Sequence, residues 1–318
     1  MPKSPELRAL VAEELRLPVD PRVNAVAEAI AGKHPNAARA VLFYGSCLRQ
    51  QQLEGLMLDF YLIVSDYAAA YDKAWLAAAN RLIPPNVFHF EHEGLVSKYA
   101  VLSEADFAHE CSPDAWTVST AARFAQPSRL VWSADDAAGE RVVDCVAEAA
   151  ATLFAWTRPA MAGDGRHEPL AVFRAAFGLT FAAELRAERL SRSGAIVDVD
   201  EPRYRRFGEA IIREQVLPRP AKKPNEAYKS GWQEGQVRVG SRRSAQRWWK
   251  RKQLKGKLYS VPRLAKASLT FAGGADYIAW KINRHAGTDI QLKPWQQRHP
   301  LLAAITLLPR LLRSGAVR

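Results

Sequence analysis

Val41-Leu-Phe-Tyr-Gly-Ser-Cys-Leu-Arg49 is followed, after a short polar stretch, by Leu56-Met-Leu-Asp-Phe-Tyr-Leu-Ile-Val64. Val41–Tyr44 reads as a short strand ending in Gly45–Ser46. Leu56–Val64 reads as a second strand, apolar throughout except for one acid, Asp59. A run with no polar face predicts a strand covered on both sides. A carboxylate inside such a strand costs several kcal/mol unless it meets a cation, so Asp59 is expected either in an ion pair or as a metal ligand. Gly45 lets the backbone approach an anion closely, and the Ser46 hydroxyl and neighbouring N–H groups can hold its oxygens. Strand, Gly–Ser, strand and single acid together point to a site for a phosphate-bearing ligand and its cation.

Outward from this pair, helical spacing predicts helices over residues 5–33, 68–82, 142–156 and 170–190. Tyr99–Leu102 reads as another strand, and Pro84–Pro85–Asn86 as a break. A Gly-rich stretch at 161–167 and a Pro- and Lys-rich one at 218–225 set the expected boundaries. They divide the chain into a unit over 1–160, a helical unit over 161–217, possible in a winged-helix form, and a basic, amphipathic region over 218–318. Because strands and helices alternate in the first unit, an α/β (α+β) fold is expected.

The charge is unevenly placed. The 318 residues carry a net +12, yet Arg219–Lys266 holds 15 Lys or Arg against 2 acids, a balance of +13 that leaves about −1 for the rest. Such a block calls for an anionic partner: lipid, nucleic acid or polyphosphate. Trp248-Trp249-Lys250-Arg251-Lys252 mixes aromatics with cations, as membrane interfaces and single-stranded nucleic acid both favour. Leu301–Leu312 reads as a shallow surface anchor, too short and too broken by Pro309 and Arg310 to span a bilayer. Met1–Leu17 lacks the apolar core of a signal peptide. Cys47, Cys111 and Cys145 are too few and too scattered for a disulfide framework or a zinc site. His89 and His92 flank Glu91 without a third ligand at metal spacing and read as surface or strand-end residues.

The strand–Gly–Ser–strand–Asp layout resembles that of polymerase-β-type nucleotidyltransferases. Many of these carry Asp-x-Asp, whereas the second position here is Tyr61; a second metal ligand then has to come from Glu54, Glu91, Glu104, Asp106 or Glu184. Within the superfamily the chain resembles the mitochondrial-type phosphatidate cytidylyltransferases, the translocator assembly and maintenance family, in which a single aspartate follows Tyr-Gly-Ser-Gly. Tyr44-Gly45-Ser46-Cys47 and Asp59-Phe60 carry that likeness. Lys98-Tyr99-Ala100-Val101, Ala121-Ala122-Arg123 with Gln126-Pro127, and Leu179-Thr180-Phe181-Ala182-Ala183-Glu184-Leu185-Arg186 follow in the family's order, and Lys266–Lys281 is similar to its basic tail. Cys47 and Ala183 replace family glycines, Gln126 a lysine and Glu184 an aspartate, which fits either a divergent, bacterial-type branch or an altered choice of substrate.

The resemblance implies a Mg²⁺-dependent enzyme of phospholipid (cardiolipin) biosynthesis that converts CTP and phosphatidate into CDP-diacylglycerol and pyrophosphate. It implies Asp59 and Glu184 as catalytic residues and metal ligands. Tyr44, Gly45, Ser46, Lys98 and Arg123 would hold the nucleotide, and Arg186 the substrate phosphate. The expected place is the cytoplasmic face of the inner membrane, held peripherally by an anionic surface without a transmembrane span. Two other readings stand beside it: nucleotidyl transfer to RNA or another phosphorylated acceptor, and an inactive membrane- or RNA-binding module of the same fold.

Overall fold

The two decisive segments form strands β1 (Ala38–Tyr44) and β2 (Leu58–Val64), paired antiparallel at the centre of a five-stranded sheet. The structure, a computed structural model, describes residues 5–50, 52–163, 167–184, 192–216 and 242–270. Strands β3 (Asn86–His92), β4 (Leu95–Ser103) and β5 (Ser128–Ser133) complete the order β3-β4-β2-β1-β5. β2 and β4 run parallel and the other pairs antiparallel. The helices are α1 (Pro5–Leu15), α2 (Pro21–Gly32), α3 (Ser46–Gln50), α4 (Tyr67–Ala70), α5 (Ala74–Leu82), α6 (Glu104–Cys111), α7 (Ser119–Phe124), α8 (Asp136–Thr157), α9 (Pro169–Phe181), α10 (Arg192–Asp198), α11 (Glu201–Val216) and α12 (Arg242–Thr270). The class is the α/β fold expected.

β2 is buried on both faces because its residues alternate between two apolar layers. Tyr61 and Ile63 join Leu42 and Leu102 under α1, α7, α8, α9 and α11. Phe60 and Leu62 join Val41, Phe43 and Val101 against Val23, Val26 and Ile30 of α2. The first layer is continuous from Leu7 to Trp249, so helices from both sides of the Gly-rich stretch share one core.

Several elements differ from expectation. The single helix over 5–33 is two: Asp20 caps α2 by accepting from the Arg22 N–H at 2.9 Å, and Pro21, with no N–H to donate, opens it. The helix over 68–82 breaks at Tyr71, whose extended backbone turns its ring onto Phe88 and His34. β3 and β5 were not expected. Trp249, read as an interfacial residue, is only 1% exposed; its ring packs against Trp156 and its indole N–H donates to the Trp156 carbonyl at 2.9 Å. It is therefore a core residue that pins α12 to the end of α8. The Leu301–Leu312 anchor lies outside the described residues.

Two glycines mark close approaches that position the site. A Cβ on Gly208 of α11 would sit 2.4 Å from the Pro169 side chain, at the start of α9. A Cβ on Gly256 of α12 would sit 2.2 Å from the carbonyl oxygen of Ala183. α12 thus crosses directly over the turn that carries Glu184.

Candidate active site

Register places the key side chains in one row. Across the sheet Ser128, Tyr44, Asp59, Lys98 and His89 are direct partners on β5, β1, β2, β4 and β3. Directly opposed residues project to the same face. The row therefore forms the rim of the face that carries Tyr61 and Ile63, the face covered by α7, α8 and α9.

At the centre of the row, Gly45 has φ +97°, and a Cβ there would lie 2.8 Å from Oδ2 of Asp59. The carboxylate is packed against the Gly45 backbone. Its other oxygen, Oδ1, is 3.0 Å from Nζ of Lys98, and the two side chains keep 19% and 22% of their surface exposed. Asp59 is thus paired, as a carboxylate in an apolar strand must be, but still open to solvent and ligand. Ser46 is exposed at the start of α3, and Tyr44 packs beside Tyr61 and Phe124.

Arg123 of α7 completes the cluster. Burial alone would lower its pKa, but the acidic groups around it, Tyr61 and Glu184 first and then Tyr44 and Asp59, raise it instead. The guanidinium therefore senses both carboxylates and stays charged. Its terminal nitrogen is 3.7 Å from Oε1 of Glu184, which also accepts a hydrogen bond from the Ser119 hydroxyl. Two acids and two cations converge on one rim.

The known proteins add little. No family model matches the chain, and no curated protein matches it. Among solved structures it is similar to a nucleotidyltransferase-like protein from Exiguobacterium sibiricum 255-15, with 12% identity over 92% of each chain and a TM-score of 0.27. That similarity is too low to bear on function, which rests on the side chains.

Of the residues singled out from sequence, Tyr44, Gly45, Asp59, Lys98, Arg123 and Glu184 come together, with Ser46 at the exposed edge. Arg186 lies outside the described residues. The other carboxylates considered as metal ligands are engaged elsewhere. Glu54 meets Arg22 and Glu104 meets Arg141, each at 2.8 Å; Asp106 accepts from the Tyr67 hydroxyl; Glu91 is exposed on β3. Among the described residues no three His, Cys, Asp or Glu gather as a ready metal cage.

Cys47 and Gln126 both pack beside this cluster. Cys47 is buried, its thiol donating to the Met57 carbonyl at 3.4 Å; burial first, and then the charge of Asp59, push its pKa up. The Cys47 side chain is thus turned into the core rather than toward solvent. Gln126 accepts from Arg49 at 3.1 Å and donates to the Ala122 carbonyl at 2.8 Å, tying α3 to the end of α7.

Two residues of the cluster escaped the sequence reading. Ser119 stands four positions before Arg123, and that spacing on one helix face was the available signal. Arg263 of α12 donates to Ser119 Oγ at 3.4 Å and to the Pro84 carbonyl at 2.9 Å; 144 positions separate it from Ser119, and nothing local announces the contact.

The tightness at Gly45 has a measurable consequence. Gly45→Ala combines a left-handed backbone with a collision against the Asp59 carboxylate. Thermal unfolding should show a loss of about 1–3 kcal/mol.

Proposed function

We propose that the chain transfers a cytidylyl group from CTP to phosphatidate, forming CDP-diacylglycerol and releasing pyrophosphate. One observation carries the nucleotidyl-transfer reading: the Asp59 carboxylate lies against the bare backbone of Gly45, with Lys98 and Arg123 converging on it. Gly45 lets the Asp59 carboxylate close onto the loop, whose N–H groups and Ser46 hydroxyl can hold phosphate oxygens, and Lys98 and Arg123 supply fixed positive charge.

Mg²⁺ suits this donor set, since it takes one or two protein carboxylates and fills its shell with substrate phosphate oxygens and water. Asp59 would be the principal ligand and Glu184 the second. When bound, the ion offsets charge on the phosphates and on the departing pyrophosphate. Lys98, 3.0 Å from Asp59, would supply positive charge to the triphosphate beside that ion.

In the reaction an oxygen of the acceptor phosphate attacks the α-phosphorus of CTP. The new P–O bond forms as the bond to the β-phosphate oxygen breaks, and pyrophosphate leaves in line. A phosphate monoester has a second pKa near 6 and is already largely dianionic at neutral pH, so no strong base is needed. The chain's residues act chiefly by positioning and charge.

The lipid acceptor is supported by α12, which has no acid between Arg242 and Thr270. Its outer surface exposes Leu254 and Leu258, one turn apart, among Lys250, Arg251, Lys255 and Lys257. That mixture suits the surface of an anionic membrane. No helix among the described residues is long and apolar enough to cross one.

The test is incubation of the purified chain with α-labelled CTP, Mg²⁺ and phosphatidate vesicles. Labelled CDP-diacylglycerol is expected, with equimolar pyrophosphate. Label appearing in added RNA but not in lipid would transfer the reading to a nucleic-acid acceptor, and label in neither would contradict it.

A further inference from the structure

Helix α12 turns three of its basic side chains inward. Lys252 donates to the Ala115 carbonyl, Lys266 to the Ile83 carbonyl, and Arg263 to the Pro84 carbonyl. The first two clasp loops by their backbones. Arg263 differs, because a second donor reaches the Ser119 hydroxyl, which in turn donates to Glu184.

Named in spatial sequence, the groups run from the Gly45 loop through Asp59 with Lys98, then Arg123, Glu184 and Ser119, to Arg263. In-line transfer needs the leaving pyrophosphate and the attacking oxygen on opposite sides of the α-phosphorus. With the triphosphate cradled at Gly45 and Lys98, the far end of this series is where the acceptor belongs. A dianion placed beside Glu184 needs cations on both flanks. Arg123 supplies one, and Arg263 brings a second guanidinium to Ser119, the hydroxyl that donates to Glu184. Two of the five N–H donors of Arg263 are used in those contacts. Its hydrogen bond to the Pro84 carbonyl fixes one edge of the planar fork and orients the rest.

We infer that Arg263 grips the phosphate monoester of the acceptor opposite Arg123, so that the C-terminal helix completes the acceptor subsite. The inference rests on the nucleotidyl-transfer reading of the Gly45–Asp59 site. The helix that exposes Leu254 and Leu258 outward thus carries the acceptor-phosphate contact inward. Gly256 makes this possible: its lack of a side chain lets α12 close onto the Ala183–Glu184 turn.

Steady-state kinetics on the full chain test it, with phosphatidate vesicles in one arm and soluble glycerol 3-phosphate in the other. Arg263→Ala is expected to raise the acceptor KM roughly 10- to 100-fold, the effect of losing hydrogen bonds to a charged group, with the CTP KM nearly unchanged. Arg263→Lys should recover part of the loss. A rise in both arms assigns the contact to the phosphate itself, whether lipid-borne or free; a rise with phosphatidate alone restricts it to the lipid headgroup. An unchanged acceptor KM, or an equal rise for CTP, overturns the inference.

A binding measurement separates its failure from failure of the enzymatic reading. Cosedimentation with phosphatidylcholine vesicles containing phosphatidate, or phosphatidylglycerol at matched charge, reports preference for a monoester without turnover. The wild type is expected to prefer phosphatidate and Arg263→Ala to lose that preference. An identical preference in both proteins, with Arg263→Lys also unchanged, counts against the contact. Absence of turnover in a wild type that retains the preference counts against the enzymatic reading alone.

Discussion

Asp59→Asn is expected to reduce nucleotidyl transfer by about a thousandfold or more while the protein stays folded. On the proposed reading the carboxylate packs against the backbone that would cradle the phosphates, and the cation it would hold would contribute several kcal/mol of transition-state charge stabilisation. At 1.36 kcal/mol per decade, a loss of about 4 kcal/mol is a thousandfold in rate. The fold should tolerate the change. Asn keeps the volume beside Gly45, its amide oxygen can still accept from Lys98, and the Lys98 ammonium retains access to solvent. The checks are single-turnover rates with α-labelled CTP beside thermal unfolding. A rate within tenfold of wild type would remove Asp59 from the chemistry.

The largest effect on stability should come from a different ion pair. Arg203 of α11 and Glu14 of α1 are both buried and meet through two donor–acceptor pairs, one of them 3.0 Å long. Arg203 also donates to the Ala125 carbonyl at 3.0 Å, and its guanidinium lies 4.2 Å from the centre of the Phe207 ring. Burial acts most strongly and lowers the Arg203 pKa, but the charge of Glu14, the Tyr204 hydroxyl, the hydrogen bond to Glu14 and the charge of Asp200 together outweigh it, and the pKa is raised. Arg203→Ala leaves a buried, uncompensated Glu14 and should cost about 3–5 kcal/mol. Replacing both partners, Glu14→Leu with Arg203→Met, should recover most of that loss, since an apolar pair carries no desolvation penalty. Urea unfolding at a constant slope reads both variants. A single-variant loss below about 1 kcal/mol would show the pair to be dispensable. Ala125 lies two residues beyond Arg123, so this pair also fixes the helix that carries the site's guanidinium.

The centre of the site was legible in the sequence because its signal is local. A glycine that ends one apolar strand and an acid on the next can meet only if the strands pair, and the run Leu58–Val64 has no polar face to allow another arrangement. Lys98 was singled out only through the family resemblance at Lys98-Tyr99-Ala100-Val101, and the parallel pairing of its strand with β2 was not readable. β3 was hidden because Asn86–His92 mixes His and Glu with Phe and Val and follows a proline pair, which reads as loop. β5 is only six residues long and carries Arg129 inside it. Trp249 misled because an aromatic among cations describes equally an interfacial belt and one buried side chain on a solvated helix. Its partner Trp156 lies 93 positions away, and only the fold brings them together. Arg263 was invisible for the same reason: its local context is an ordinary basic helix, and its meaning comes from Ser119 and Pro84.

The central claim is that the Gly45 loop and Asp59 jointly hold a nucleoside triphosphate and its cation. Mn²⁺ binding, followed by electron paramagnetic resonance with a non-hydrolysable CTP analogue present, tests it most directly. The account predicts tight, nucleotide-dependent Mn²⁺ binding to the wild-type chain and its loss in Asp59→Asn. Equal Mn²⁺ binding by the two proteins, or binding indifferent to the nucleotide, would contradict it.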